Sequence, residues 1–315
     1  MVIVTHNAAD IIHLCLDSLA EAIRKSAFKV IVVDNLSTDN TVAIVQEKYP
    51  WVIVIQSSEN GGFGAGNNLG IAQSEGELVF FLNPDAIVEA DTLEEMVVWM
   101  REHKNVGAVG PRIVDEKGRT YNSIYAFTTL WTSFLSASGL IKLFPVNRIN
   151  GEFRIMRKIP QEAVRVDRLL GAAIMVRKDA LDIVGGFDEQ FFLYAEEEDL
   201  CYRLIQSDWE VWYVPKMKVI HIGGATTKKI LPLSISSANI SRYLLLKKHR
   251  STLVAELSRI MWIATLMIRA LITFLFVRSE YKCEQMRGYF WSIGSLFCPL
   301  WYENKIRPQR QNSLK

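Results

Sequence analysis

The sequence is short of cysteine, and neither sign of charge predominates. Its four cysteines, Cys15, Cys201, Cys283 and Cys298, include no Cys-x-x-Cys pair. This pattern gives neither a zinc site nor a disulfide framework, and it indicates a reduced, cytosolic protein. The 36 basic and 34 acidic residues leave a formal charge of only +2. We therefore expect no nucleic acid partner, since no strong positive field surrounds the molecule.

Two phosphate-binding fingerprints are also absent. No Gly-x-x-x-x-Gly-Lys-[Ser/Thr] motif occurs, which argues against a P-loop ATPase. The glycine-rich stretch is not a dinucleotide fingerprint either, because reading Gly-x-Gly-x-x-Gly from Gly62 places Asn67 at the third glycine. The first residues continue directly into strand and helix patterns, so we expect no secretory signal peptide.

Half of the residues are hydrophobic, which is high for a soluble protein and suggests a part that faces a membrane. Residues 260–277 contain a single charged residue, Arg269, and a second apolar stretch covers residues 289–301. The first stretch is at the lower limit for crossing a bilayer, and an arginine near its centre is costly there. Basic residues flank it, namely Lys247, Lys248, Arg250, Arg278, Lys282 and Arg287. This pattern favours a monotopic or re-entrant helical hairpin over a true span or a soluble core helix.

Strand-like apolar runs alternate with helical periodicity through the first 110 residues. Strands are predicted over residues 1–5, 29–33, 51–55, 77–82 and 106–110, and helices over residues 10–25 and 91–103. The alternation predicts an α/β fold with a doubly wound, mainly parallel sheet. Residues 112–165 break the pattern and read as an insertion. Helices at residues 178–184 and 196–207 and short strands at 210–215 and 218–222 then follow.

Polar loops follow four of the predicted strands, and all should meet at one edge of the sheet. They are Thr5-His6-Asn7, Asp34-Asn35, the glycine-rich residues 61–67, and Asn83-Pro84-Asp85. Open α/β sheets bind ligands at this edge. Asp34 could accept hydrogen bonds from a nucleobase or ribose, or it could form an Asx turn. The glycines let a ligand approach the backbone, and the helix behind them offers its N-terminus to phosphate.

Nine ordered blocks, taken together, resemble family 2 glycosyltransferases with the GT-A fold. The blocks are residues 2–7, 32–39, 60–68, 81–85, 109–112, 170–175, 185–189, 191–201 and 221–224. The resemblance is strongest to the rhamnosyltransferase-like enzymes of bacterial polysaccharide assembly, such as O-antigen synthesis in the cell envelope. It implies a GT-A domain over residues 1–250, with a nucleotide-binding half at 1–110 and an acceptor-binding half at 111–250. Residues 251–315 would form a membrane-associated helical region.

The resemblance implies a divalent metal at Asn83-Pro84-Asp85, a segment that on its own could be only a turn. Asp85 would bind Mg²⁺ or Mn²⁺ against the diphosphate of a sugar nucleotide, since hard cations prefer oxygen ligands. Asn83 replaces the first aspartate of the family motif and can offer only a neutral oxygen. His221 matches a histidine that completes the metal site in the family, and the alternative is a purely structural histidine.

The same resemblance implies that Glu197 is the general base, at a position where the family usually has aspartate. Glutamate can perform the same proton transfer with one more methylene of reach. The alternative is that residues 196–199 only complement the helix dipole, because acidic residues favour a helix N-terminus. We expect Glu196 and Asp199, three positions apart, to share a face that contacts the acceptor or holds the loop.

The remaining roles divide between the two halves of the domain. The resemblance places the nucleotide beside Thr5, Asn7, Asp34, Asn35, Asp39, Gly62, Asn67 and Asn83. It places the transferred sugar or the acceptor beside Arg112, Gly171, Ala172, Asp188, Glu196 and Asp199.

These roles imply an inverting transferase that moves a sugar from a dTDP- or UDP-sugar, with L-rhamnose from dTDP-rhamnose as the leading candidate. The acceptor would be a polyprenyl-diphosphate-linked saccharide at the cytoplasmic face of a bacterial inner membrane. Two alternatives stay open. A non-catalytic sugar-nucleotide-binding scaffold would suit a glutamate at the base position. A nucleotidyltransferase would need a basic glycine-rich loop after the first strand, where His6-Asn7-Ala8 stands.

Overall fold

A computed structural model describes residues 1–25, 28–138, 160–223 and 230–303. Part of the predicted insertion (139–159), Gly224 of the last sequence block and the end of the C-terminal region (304–315) lie outside the described residues.

Eleven strands are formed by the described residues. They are β1 (Val2–Thr5), β2 (Val30–Asp34), β3 (Val52–Gln56), β4 (Leu78–Leu82), β5 (Ala86–Val88), β6 (Val106–Val114), β7 (Ile124–Tyr125), β8 (Val164–Arg165), β9 (Arg168–Leu169), β10 (Ala173–Arg177) and β11 (Glu210–His221). Nine belong to one sheet in the order β3-β2-β1-β4-β10-β6-β11-β5, with β8 paired to β11, while β7 and β9 pair separately.

Eleven helices accompany these strands in the same part of the chain. They are α1 (Ile12–Lys25), α2 (Thr41–Lys48), α3 (Phe63–Ala72), α4 (Ala90–Glu102), α5 (Leu130–Ser138), α6 (Lys178–Val184), α7 (Glu196–Gln206), α8 (Leu231–His249), α9 (Thr252–Phe276), α10 (Lys282–Phe297) and α11 (Pro299–Trp301).

The predicted mainly parallel sheet is confirmed, with antiparallel strands added in its second half. Strands β1 to β4 pair in parallel, and β6 and β11 run in the same direction. Strand β10 lies antiparallel between β4 and β6, and β5 and β8 are antiparallel to β11. The pairing of Thr5 with Asp34 brings the ends of β1 and β2 level, so their polar loops share one edge.

Both faces of the sheet are covered, which explains why β4 is apolar throughout. Phe80 and Leu82 face a cluster that includes α1 and α4, whereas Val79 and Phe81 face a cluster that includes α6 and α7. Strand β4 thus ends at Leu82 in a fully packed sheet and delivers Asn83 and Asp85 to the polar edge.

Several predicted boundaries were wrong. The fifth predicted strand continues to Val114, and the two short strands at 210–222 form the single strand β11, with an irregularity between Val214 and Lys218. Helix α3 already begins at Phe63, inside the glycine-rich stretch. Helix α9 begins at Thr252 and so includes eight residues before the apolar stretch 260–277.

Helix α8 was not predicted, and it connects the sheet to the C-terminal helices. Its buried positions include Ser234, Ser236, Ser237, Asn239 and Ser241, so it lacks the apolar periodicity of a core helix. It packs on α10 through small and polar groups: Ser236 Oγ lies 3.1 Å from Ser295 Oγ, and Asn239 Nδ2 donates to Ser292 Oγ at 3.2 Å. Helix α9 is the one helix of the described chain that is long and apolar enough to cross a membrane.

Candidate active site

A cavity of about 300 Å³ opens at the carboxyl edge of the sheet. It is lined by ten of the residues that the sequence singled out: Thr5, Asn35, Gly62, Asn83, Asp85, Gly171, Ala172, Glu196, Glu197 and His221. Loops from both halves of the domain therefore meet around one space.

Asp85 and His221 meet on one side of this cavity. His221 Nε2 lies 3.1 Å from Asp85 Oδ1, and both side chains are largely buried. The Asn83 amide nitrogen lies 3.4 Å from the same imidazole nitrogen. His221 is placed by the last residue pair of β11 and β5, and the backbone N–H of Ile222 donates to the carbonyl oxygen of Asp85.

These donors fit a divalent cation that is shared with a ligand. Among the described residues, no group of three or more His, Cys, Asp or Glu side chains is placed to hold a metal. One carboxylate, one imidazole and one amide leave most of an oxygen-rich shell to be filled by phosphate oxygens or water. The site therefore suits a metal that arrives with a diphosphate better than one held by the protein alone.

Two carboxyls, Glu196 and Glu197, line the cavity at the start of α7. Burial and the neighbouring Glu197 raise the pKa of Glu196 well above its usual range. Burial also raises the pKa of Glu197, while the positive charge of Arg168 opposes the rise. One buried oxygen of Glu196, Oε2, has no hydrogen-bond partner within the described chain. A carboxylate with a raised pKa accepts a proton more readily, as a general base must.

The other two acids of α7 point away from the cavity and anchor the helix. Glu198 forms an ion pair with Arg168 and accepts a hydrogen bond from Thr128 Oγ1 at 3.0 Å. Asp199 is bound by Arg203 Nε at 2.7 Å, Lys248 Nζ at 2.6 Å and His249 Nε2 at 2.7 Å.

Asp199 does not line the cavity, and its observed contacts agree with the second expected role, that of holding parts of the protein together. Burial alone would raise the pKa of Asp199, but the hydrogen bond from His249 and the charges of Arg203 and Lys248 hold it below its usual value. Asp199 serves α8 instead of an acceptor, because its partners Lys248 and His249 lie at the end of that helix.

The nucleotide side is built by hydrogen bonds between loops. Asn35 Nδ2 donates to the carbonyl oxygen of Gly62 at 2.8 Å. Gly62 has φ 92°, and a Cβ there would lie 2.1 Å from the carbonyl oxygen of Phe192, so only glycine fits. Asp34 Oδ2 accepts from Ser37 N at 2.9 Å, a local bond to the backbone three residues further along the chain. Its buried Oδ1 has no partner in the described part of the chain and remains able to accept from a ligand.

Seven of the residues singled out by sequence do not line the cavity: Asn7, Asp34, Asp39, Asn67, Arg112, Asp188 and Asp199. Asn7 Oδ1 accepts from Thr38 N at 2.8 Å, and Asp39 Oδ2 accepts from Ala9 N at 3.1 Å, so these two tie one loop to the next. Asn67 Nδ2 donates to Phe63 O, Asp188 pairs with Lys248, and Arg112 lies on β6.

Sequence reasoning missed several cavity residues, including His6, Tyr194 and Ile230. His6 Nδ1 lies 2.8 Å from the carbonyl oxygen of Asn35, which can only accept, so Nδ1 carries the proton and Nε2 is free to accept from the Asn7 amide. Tyr194 has φ 69°, and its hydroxyl lies 2.6 Å from Ser234 Oγ of α8. The position of His6 within the Thr5-His6-Asn7 turn was a usable signal, whereas Ile230 precedes a helix that was not predicted.

A mixed sheet with an Asn-Pro-Asp turn and paired carboxyls at its carboxyl edge is the architecture of a GT-A glycosyltransferase. A solved structure supports the fold: mannosyltransferase PcManGT from Pyrobaculum calidifontis, in complex with GDP-Man and Mn²⁺, matches with a TM-score of 0.55. The match covers 95% of this chain and 86% of that one at 14% identity. The chain belongs to glycosyl transferase family 2, whose family model matches residues 1–162.

Two curated relatives extend the likeness beyond the first half of the chain. An N-acetylglucosaminyl-diphospho-decaprenol L-rhamnosyltransferase of Mycobacterium tuberculosis is 30% identical over 263 residues, which cover 80% of this chain and 84% of the relative. The rhamnosyltransferase WbbL of Escherichia coli K12 is 28% identical over 240 residues, which cover 70% and 82%. The protein is a glycosyltransferase, as the sequence predicted.

Proposed function

We propose that this enzyme is an inverting, metal-dependent transferase with Glu197 as its general base. The main support for this proposal is that Glu197, a carboxyl whose pKa is raised, lines the same cavity as Asp85 and His221. Glu197 would take the proton of the acceptor hydroxyl as that oxygen attacks the anomeric carbon. The bond from this carbon to the diphosphate oxygen breaks on the opposite face, so the anomeric configuration inverts.

Asp85 and His221 would hold Mn²⁺ or Mg²⁺, with Asn83 beside them. When bound, the cation would neutralise the charge on the leaving nucleoside diphosphate. The imidazole ligand favours Mn²⁺. Thr5, Asn35 and Gly62, which line the cavity, would face the nucleotide, and Asp34 would lie behind them at the end of β2. Gly171 and Ala172 leave room for sugar because their side chains are small.

The names of the relatives support a choice of substrates. We propose transfer of L-rhamnose from dTDP-rhamnose, with a UDP-sugar as the competing donor, to a polyprenyl-diphosphate-linked saccharide. The reaction would serve a cell-surface polysaccharide such as an O-antigen. A lipid-linked acceptor would require the enzyme to work at a membrane, and we propose the cytoplasmic face of a bacterial inner membrane. Residues 1–250 would form the transferase domain and 251–315 the region that contacts the membrane.

The test is transfer by the purified full-length protein from a panel of dTDP- and UDP-sugars to a synthetic polyprenyl-diphosphate saccharide, with Mn²⁺ or Mg²⁺ added. We expect a glycosylated lipid of inverted anomeric configuration, and loss of turnover in Asp85→Ala and Glu197→Gln. Unchanged turnover in both variants would contradict the assignment. Donor binding without product in any combination would favour the non-catalytic scaffold.

A further inference from the structure

Helix α9 exposes an uninterrupted apolar side. Six residues along its 25 positions are between 45% and 68% exposed: Leu253, Leu257, Ile260, Met267, Leu271 and Leu275. They recur at intervals of three, four or seven and thus lie on one side of the helix. At 1.5 Å per residue, α9 is about 37 Å long, so this side is a long apolar strip.

All three charged residues of α9 are engaged by the protein. Glu256 accepts from the Tyr243 hydroxyl at 2.9 Å and forms an ion pair with Arg259. Arg269 Nη2 donates to the carbonyl oxygen of Ser136 at 3.1 Å, and its guanidinium lies 5.5 Å from the centre of the Trp262 ring. Arg269 therefore turns towards α5, and its charge does not interrupt the apolar strip.

The opposite side of α9 is held along its whole length. Its buried residues run from one end to the other: Ala255, Ser258, Trp262, Leu266, Ala270 and Thr273. They face α5, α8 and α10. Helix α8 is in turn bonded to the transferase domain near both ends, through Ser234 with Tyr194 and through His249 with Asp199.

This packing argues against a helix that crosses the bilayer. A spanning α9 would separate from the partners along its buried side, or it would pull α8 with Lys247 and Lys248 into the hydrocarbon. A helix that lies flat keeps every one of these contacts and still buries its apolar strip.

Helix α5, which packs against α9, exposes two aromatic side chains. Trp131 and Phe134 are 46% and 41% exposed, and their rings stack with centroids 5.7 Å apart. The Arg269 to Ser136 hydrogen bond holds the same helix against α9. Exposed tryptophan is typical of a side chain that sits among lipid head groups.

Basic residues stand at both ends of the strip. Lys247 and Arg250 precede it, and Arg278, Lys282 and Arg287 follow it, while Glu280 and Glu284 offset part of the second group. The remaining positive charge at each end suits anionic head groups.

We propose that α9 lies in the plane of an anionic lipid leaflet and that Trp131 and Phe134 enter the same leaflet. The contact surface, termed the leaflet face, consists of the six strip residues of α9 together with Trp131 and Phe134. This proposal specifies how the protein would be oriented on the proposed membrane. It does not depend on which sugar is transferred or on whether transfer occurs.

The first test is flotation of the full-length protein with vesicles of phosphatidylethanolamine and phosphatidylglycerol. We expect the protein to float with them, and Leu271→Glu to lower the partition constant about tenfold, as loss of one buried leucine predicts. The double variant Trp131→Ser, Phe134→Ser should weaken binding similarly. Ile183→Glu is the matched control, because Ile183 is 64% exposed on α6 and should not alter flotation.

The second test measures depth with spin labels placed one at a time at positions 253, 264 and 275, in a protein whose exposed Cys283 and Cys298 are replaced by serine. Equal, shallow immersion at the three positions supports the proposal. A depth that peaks at the bilayer centre for position 264 would overturn it in favour of a span. Absence of vesicle binding together with a dimer disrupted by Leu271→Glu would overturn it in favour of a second copy. A protein that passes both tests but transfers no sugar would contradict only the proposed function.

Discussion

Glu197 and Glu196 share one end of the cavity but should respond differently to substitution. Glu197→Gln keeps the shape and removes the base, and we expect the transfer rate to fall about 10²- to 10⁴-fold. Glu197→Asp restores the residue usual in the family with a shorter reach and should retain part of the rate. Single-turnover transfer at saturating donor measures both. Equal rates in Glu197→Gln and the parent protein would exclude Glu197 as the base.

The raised pKa of Glu196 predicts a pH-dependent stability effect. A carboxyl whose pKa is higher in the folded than in the unfolded state costs stability as pH rises from the unfolded value through the folded value. Glu196→Gln removes that cost. We expect it to raise the melting temperature at neutral pH and to leave it nearly unchanged at about pH 4, close to the ordinary pKa of glutamate. A larger gain at the acidic pH would contradict the assigned direction.

Gly62 and Gly118 both have positive φ, but only Gly62 is crowded. A Cβ at Gly62 would lie 2.1 Å from the carbonyl oxygen of Phe192, whereas a Cβ at Gly118 would meet nothing within 4 Å. We expect Gly62→Ala to lower the free energy of unfolding by about 3 kcal/mol or more, and Gly118→Ala by about 1 kcal/mol. Urea unfolding compares them directly. Equal losses would mean that the close approach to Phe192 has no energetic weight.

At the scale of elements, Asp199 joins α7 to α8. Its carboxylate is fully buried among Arg203, Lys248 and His249. Asp199→Asn leaves the largely buried Arg203 without its counter-ion, while Lys248 keeps Asp188, and we expect a loss of about 3 kcal/mol in the free energy of unfolding. Asp182→Asn is the control, because the exposed Asp182 forms its one ion pair among the described residues with Lys178, and the substitution should cost less than about 0.5 kcal/mol. A loss at Asp199 no larger than the control would show that the two helices dock without this carboxylate.

The sequence correctly predicted those elements whose pattern of apolar and polar residues matches their burial in the folded protein. Strand β4 is an apolar run buried on both faces, and its end at Asn83-Pro84-Asp85 could be placed correctly from the residues alone. Helix α8 could not be predicted, because the serine and asparagine side chains on its buried side find their hydrogen-bond partners on α10 only in the folded protein. The orientation of Asp199 was missed for the same reason, since its partners lie about 50 positions later in the chain. The insertion of strand β10 between β4 and β6 was not predicted, because it joins segments that are far apart in the sequence.

At the scale of the whole molecule, the proposed metal site, which has few protein ligands, predicts linked binding of metal and nucleotide. With Asp85 and His221 as its main protein ligands, Mn²⁺ alone should raise the melting temperature little. Mn²⁺ together with dTDP should raise it more than the sum of the separate effects, because each ligand completes the other's site. A ligand at 100 times its dissociation constant adds about 2.7 kcal/mol of stability. Thermal unfolding with each ligand alone and with both measures this. In Asp85→Asn the excess should disappear, and its persistence would place the metal elsewhere.

The four consecutive acids of α7 carry a consequence for how related sequences diverge. Residues 196 and 197 line the cavity and are constrained by the molecules that bind there. Substitutions at these two positions should therefore follow the chemistry of the substrates. Residues 198 and 199 are constrained by contacts within the same chain. Glu198 contacts Arg168 and Thr128, and Asp199 contacts Lys248 and His249. In an alignment of the family, we expect position 199 to covary with 248 and 249, and position 198 with 168. The first two residues of this acidic run would then vary with the reaction, and the last two would vary with the packing of the fold.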